Sequence, residues 1–308
     1  MKKNSSNGKI GKRIFKIVLK IVCVLFLAMI AVFLISTFKT NYDKAFLNKL
    51  QGNILYMRRD KDEILTIYKS KFNTQNEEVL VTRKGQYADD TNNNIVDMVY
   101  SADKNKIFYI GFLKDGFKLF EFDLNDETTK MLPDMEKKSV YELYLLPSKN
   151  TLVYSTIGDE TDNYYSYDLD KNTTTLIDPS GSEWDKEYDD LKKILTYETD
   201  SITSENGKYT VTYDKGNLYL KDNTTKESKL LRKFYGTYDY KFLPGYCPSQ
   251  IIDNKYLVYD KPKHLTAIGQ LLEGILFQRT AYTTEIVDLE TGETSQYIDG
   301  ASDIYLLK

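Results

Sequence analysis

Glu142-Leu143-Tyr144-Leu145-Leu146, then the turn Lys149-Asn150 and the run Thr151-Leu152-Val153-Tyr154, is the stretch on which the fold turns. It reads as a strand, a short turn ending in Asn, and a second strand. The turn and second strand recur at Gly52-Asn53-Ile54-Leu55-Tyr56 and at Lys104-Asn105-Lys106-Ile107-Phe108-Tyr109. They recur again at Glu205-Asn206-Gly207-Lys208-Tyr209 and at Asp253-Asn254-Lys255-Tyr256-Leu257. Asn tolerates the left-handed backbone that a tight hairpin requires, which explains that residue at that place. The five Asn residues lie 52, 45, 56 and 48 positions apart, the period of a repeat protein built from small sheets.

Each unit continues with a further strand that ends in a polar turn. Phe120-Glu121-Phe122-Asp123-Leu124, Tyr165-Ser166-Tyr167-Asp168-Leu169, Leu218-Tyr219-Leu220-Lys221-Asp222 and Glu285-Ile286-Val287-Asp288-Leu289 are these strands. A short outer strand follows, as in Lys130-Met131-Leu132 and Thr175-Leu176-Ile177. Unit one lacks an opening strand, whereas the chain ends on Asp303-Ile304-Tyr305-Leu306-Leu307-Lys308, nearly the string that opens unit three. The last strand therefore supplies the missing one, and closure leaves no open sheet edge. The expected fold is all-β, a five-bladed β-propeller closed by the C-terminal strand and preceded by one N-terminal transmembrane helix.

Ser101-Ala102-Asp103-Lys104-Asn105-Lys106-Ile107-Phe108-Tyr109, followed by a strand ending in Asp123-Leu124, resembles the TolB-type (WD40-like) propeller repeat. Ala102 stands where that repeat has Pro, and Gly directly follows the Asn only at Asn206-Gly207. The resemblance covers about residues 50–308. It implies a recognition scaffold and carries no catalytic residues. The same repeat builds the propeller of prolyl-oligopeptidase-type enzymes, but no Gly-x-Ser-x-Gly elbow or hydrolase-sized remainder accompanies it here.

From Ile21 to Phe38 the chain has 18 residues without a charge. With Ile17, Val18 and Leu19, and with Lys20 snorkelling, this makes a helix long enough for ~30 Å of hydrocarbon. The run is longer than a signal-peptide core and ends without a small-x-small site, so a retained signal-anchor is expected. Seven basic residues and no acidic one precede it, which places the N-terminus in the cytoplasm. The expected division is a basic tail at 1–13, a membrane span at 14–38, a linker at 39–49 and an extracytoplasmic propeller at 50–308.

The net charge of −3 thus hides two unlike parts. Beyond position 38, 35 basic residues face 45 acidic ones, a balance of −10. An acidic body excludes nucleic-acid binding, which needs a basic face. One His and two Cys exclude a zinc ribbon, a His-rich metal cage and a disulfide framework. Cys247 stands alone in the body without a base to activate it. The Asp168-x-Asp170-x-Asn172 string resembles the start of a calcium loop, but Thr173 occupies the position that needs Gly. It also aligns with Asp123 and Asp288 as an ordinary turn. His264 reads as a surface residue.

Two insertions break the repeat. Ser182 to Leu195 reads as a short amphipathic helix carrying Trp184 and Tyr188, a connector first and a partner contact second. Lys261 to Thr280 holds Ile268, Leu271, Leu272, Ile275, Leu276 and Phe277. This apolar stripe either plugs the channel or forms the candidate contact for a partner protein or the membrane surface. No catalytic, metal-binding or cofactor-binding residue is assigned. The expected function is that of a non-catalytic scaffold or sensor in the bacterial cell envelope, with another envelope protein as partner. The alternative is a glycoside-active enzyme or glycan-binding propeller, using carboxylates and Tyr that face the channel.

Overall fold

The computed structural model describes residues 6–36, 44–59, 64–82, 95–113, 116–133, 139–146, 150–157, 162–177, 201–234, 247–264, 269, 271–273, 275 and 282–307. Helix α1 (Ser6–Ser36) is the N-terminal apolar segment. Its stretch Arg13–Ala31 has a mean hydropathy of 2.7 and no buried residue, so it is long and apolar enough to cross a membrane. Helix α2 (Lys44–Leu47) is one turn placed ahead of the first strand. Its Phe46 and the following Leu50 are buried against the strands, so the packed body begins inside the stretch expected to be a linker.

Everything after α2 that is described is β-structure, apart from the insertion helix. The first sheet contains β1 (Asn53–Arg59), β2 (Leu65–Lys71) and β3 (Glu78–Val81); the second, β4 (Ile95–Ser101), β5 (Lys106–Leu113), β6 (Gly116–Asp123) and β7 (Thr128–Met131). The third is β8 (Val140–Leu146), β9 (Thr151–Ile157), β10 (Asp162–Asp168) and β11 (Thr173–Ile177). The fourth is β12 (Ser201–Thr203), β13 (Tyr209–Asp214), β14 (Asn217–Asp222) and β15 (Ser228–Arg232). The fifth is β16 (Cys247–Ile252), β17 (Tyr256–Pro262), β18 (Tyr282–Asp288) and β19 (Thr294–Gln296). The last strand, β20 (Ser302–Leu307), pairs antiparallel with β1 and completes the first sheet as its fourth strand. Every sheet is antiparallel, and neighbouring strands are consecutive in the chain except where β20 lies beside β1.

The opening strands lie beside one another: β20 next to β4, β4 next to β8, β12 next to β16, and β16 next to β20. Apolar side chains fill the matching seams. Ile54, Tyr56 and Phe72 of the first sheet meet Ile252, Val258 and Ile286 of the fifth, with Phe46 inserted among them. Leu55 and Ile67 meet Ile107, Tyr109 and Phe120 across the next seam. Phe108, Ile110 and Leu119 meet Leu152, Tyr154 and Tyr167, and Val211 and Leu220 meet Leu257 and Val287. Each fully buried side chain of this size contributes about 1.5–3 kcal/mol.

Turn chemistry accounts for the repeat. Asn105, Asn150 and Asn254 adopt φ of 51°, 49° and 55°, the left-handed conformation that Asn tolerates best after Gly. In units one and four the neighbouring Gly52 and Gly207 take it instead, with φ of 101° and 71°. At the second turn, Asp123, Asp168, Asp222 and Asp288 each accept a backbone N–H two residues on, and the last three also accept one three residues on. These bonds stabilise the ionised carboxylates and lower all four pKa values, Asp168 to about 2 with Lys171 as the main cause. Asp168 is therefore a turn residue.

Candidate functional site

The insertion of the fifth sheet leaves the end of β17 and rejoins the sheet at β18. Gly269, Leu271, Leu272, Glu273 and Ile275 are helical. Leu271 and Ile275, one turn apart on the same side, are 61% and 63% exposed. Glu273 is buried on another side, with Gly269 one turn before it also buried, and Leu272 is half-buried. Ile268, Leu276 and Phe277 lie outside the described residues, as do Trp184 and Tyr188.

His264 explains the orientation. It is buried, contrary to the expectation of a surface residue, and its Nε2 lies 3.5 Å from Oε2 of Glu273. Lys263 Nζ approaches the other carboxylate oxygen at 4.0 Å. Two residues beyond the end of β17 at Pro262, the chain carries the imidazole under the helix, where the carboxylate meets it. A buried carboxylate needs partners, and these partners turn Glu273 inward and the apolar pair outward.

A second group of residues sits on the opening strands and escaped the sequence reading. Register shifts mark β-bulges at Ile95/Asp97 in β4, Val140/Glu142 in β8 and Pro248/Gln250 in β16, and β20 is irregular opposite Leu55/Met57. A bulge re-aims the side chain beside it. Gln250 Nε2 donates to the Ile304 carbonyl at 2.6 Å, and its Oε1 accepts the Ile304 N–H at 3.0 Å. Asp97 makes the related link two seams further round, accepting N–H groups of Met98 and of Leu143 in β8. Tyr305 donates its hydroxyl to the Met98 carbonyl at 3.3 Å.

Three carboxylates thus occupy neighbouring opening strands: Asp97, Glu142 and Asp303. Burial pushes the Asp97 carboxyl up to about 7, and the charges of Asp303 and Glu142 add to the rise. Burial raises Asp303 as well. The available signal was positional: Asp97, Glu142, Gln250 and Asp303 each precede an apolar residue of an opening strand. Among the described residues, no group of three or more His, Cys, Asp or Glu is placed to hold a metal ion.

Other polar clusters are largely paired within themselves, although the buried Arg232 Nη2 has no hydrogen-bond partner among the described residues. A cavity of about 190 Å³ between the second and third sheets is lined by Lys104, Lys106, Phe108, Glu121, Lys130, Leu169 and Asn172. Lys106 and Lys130 bond Glu121 at 2.6 and 3.2 Å, Lys106 also approaches Asp123, and Lys104 pairs with Asp170. In the fifth sheet, Glu285 takes Lys261 at 3.1 Å and the Tyr259 hydroxyl, which itself accepts Arg232 Nε at 2.7 Å. Burial pushes the Cys247 thiol up to about 11, which leaves it unreactive.

Repeated four-stranded antiparallel meanders with their opening strands side by side define a β-propeller. The propeller is of the TolB type: TolB from Acinetobacter baumannii superposes with a TM-score of 0.50 at 12% identity. That alignment covers 83% of this chain and 66% of the TolB chain, so the chain spans just under two thirds of its length. An oligogalacturonate lyase in complex with manganese aligns over 68% of this chain and 59% of its own, at 12% identity and a TM-score of 0.31. A prolyl endopeptidase aligns over 91% and 52%, at 12% identity and a TM-score of 0.41. No family model matches the sequence, and no curated protein does.

Proposed function

We propose that the chain is a membrane-anchored, extracytoplasmic five-bladed propeller, closed by its C-terminal strand, that serves as a non-catalytic binding scaffold in a bacterial cell envelope. The tail is 1–13, the anchor 14–38 and the propeller 50–308, with the packed part of 39–49 docked onto it. Seven basic residues at or before Lys20 favour a cytoplasmic N-terminus. The observation that carries the non-catalytic reading is the stitching of the inner strands. Asp97 and Gln250, which a catalytic channel would leave free for substrate, are bonded to the backbone of the next strand. Connections of 13, 23, 14 and 19 residues, after β3, β11, β15 and β17, all leave the same end of the sheets. Long connections at one end of a rigid scaffold supply a recognition face for another envelope protein.

Asp97 favours a second reading. A carboxyl that holds its proton near neutrality beside a second carboxyl, Asp303, is the arrangement with which glycosidases protonate a leaving group. The experiment is to incubate the full chain with wall polysaccharides while crosslinking it in intact cells through residues of the long-connection end. The scaffold reading expects one specific crosslinked protein and no new reducing ends. Hydrolysis by the wild-type chain that Asp97→Asn abolishes would replace it with the enzyme.

A further inference from the structure

We infer that the fifth sheet is the edge on which the body rests against the bilayer, with Leu271 and Ile275 inserted into its surface; this builds on the anchor reading of α1. Two independent features of the molecule meet on that sheet. The first is the tether. Helix α2 packs on β19, Phe46 lies 6.3 Å from the Tyr256 ring at the start of β17, and Lys49 pairs with Glu293. Seven residues separate Ser36 of α1 from Lys44 of α2. At about 3.5 Å per residue they reach no further than ~25 Å, so wherever α1 leaves the hydrocarbon, the fifth sheet is held close by.

The second feature is the insertion helix, which emerges from the other end of the same sheet, about 20 Å along β17. Its apolar pair faces solvent while its carboxylate faces the body, the reverse of a helix evolved to cover a soluble core. The His264–Glu273–Lys263 contacts lock that rotation. A single helical turn with two large aliphatic side chains outward is what an interfacial contact needs.

Most of the negative charge at the α2 end of this edge is paired, the exposed Asp253 of the β16–β17 turn excepted. The body is acidic overall, and an unpaired carboxylate would resist approach to anionic headgroups. At the α2 end of the fifth sheet, Glu293 is paired with Lys49, Glu290 with Lys208, and Asp288 with Lys255.

The test uses the full chain in nanodiscs of phosphatidylethanolamine and phosphatidylglycerol, in a Cys23→Ser, Cys247→Ser background. Spin labels are placed singly through Leu271→Cys, Ile275→Cys, Leu25→Cys within α1, and Thr175→Cys on the exposed outer strand of the third sheet. The expected result is an oxygen-to-nickel accessibility ratio several-fold higher at 271 and 275 than at 175. Slower hydrogen exchange over 269–275 in the unlabelled chain should accompany it, and Leu271→Ser with Ile275→Ser should reverse that slowing. Nickel access at 271 equal to that at 175, with 25 still protected, overturns the inference and leaves the anchor intact. Dipolar broadening between labels at 271 assigns the patch to a second copy and equally overturns it. Loss of protection at 25 refutes the anchor itself.

Discussion

Gln250 bonds both backbone groups of Ile304, joining the opening strand of the fifth sheet to the C-terminal strand of the first. The seam it bridges lies between the fifth sheet and the first, the sheet in which β20 pairs with β1. Gln250→Ala leaves a backbone donor and acceptor unmet beside the buried Ile304, at a cost of about 2–4 kcal/mol. Gln250→Glu retains an acceptor for the N–H but sets a carboxylate against the carbonyl. Urea denaturation should therefore show Gln250→Glu weakened at pH 8 and largely recovered at pH 5, while Gln250→Ala stays weak at both.

Glu285 makes a second prediction. It is buried with Lys261 and Tyr259 as partners, and Tyr259 passes the network on to Arg232 of the fourth sheet. Removing one member of a buried ion pair strands the other charge, typically for 3–5 kcal/mol. Glu285→Ala should lower the melting temperature sharply, and Glu285→Ala with Lys261→Met should recover part of the loss. A double variant no better than the single one would show that Glu285 acts through Tyr259 and Arg232 instead.

The repeat was readable because each unit writes its turn chemistry locally. Asn105 and Asn150, and the capping Asp123 and Asp288, need only their own neighbours to fix their conformation. The pairing of the last strand with β1 was readable because Asp303–Leu307 nearly copies the string at Glu142–Leu146. The Gln250–Ile304 bond was not, because a bulge sets it and the register against β17 sets the bulge. The acidity of Asp97 depends on Leu143 and Asp303, which lie 46 and 206 positions away. The insertion gives the sharpest contrast. Its apolar spacing announced a helix, but only the buried His264 decides which side faces the body, and a lone His carries no such message in sequence.

A pair of glycine substitutions separates backbone strain from crowding. Gly216, at φ +82°, forms a two-residue hairpin with Lys215, and a Cβ there would lie 2.7 Å from the Phe234 ring. Gly207, at φ +71°, has nothing within 4 Å of the same position. Gly207→Ala should cost only the left-handed penalty of about 1–2 kcal/mol. Gly216→Ala should cost more, because Phe234 must also leave its buried site. Equal losses in parallel denaturation curves would mean that Phe234 moves without cost.

The carboxyls of the opening strands set the pH dependence of stability. Asp97 titrates near 7 in the folded protein against about 4 in the unfolded chain, and Asp303 is raised too. Between these values the folded state binds more protons, so stability falls as pH rises from about 4 to about 7. Asp97 alone accounts for up to roughly 4 kcal/mol of that fall. The capping carboxylates work in the opposite direction. Asp123, Asp168, Asp222 and Asp288 are lowered, so their contribution is present above about pH 4 and vanishes below it. The two sets together place maximum stability between about pH 4 and about pH 5. Asn at position 97 keeps an acceptor for the Leu143 N–H and has no charge to repel Asp303. Asp97→Asn should therefore lose clearly less stability than the wild type between pH 5 and pH 8, with the buried Asp303 keeping part of the fall, and should melt above the wild type at pH 8. A wild-type melting temperature that does not change between pH 5 and pH 8 would mean that Asp97 ionises freely, and the carboxylates of β4 and β20 would then be open to solvent.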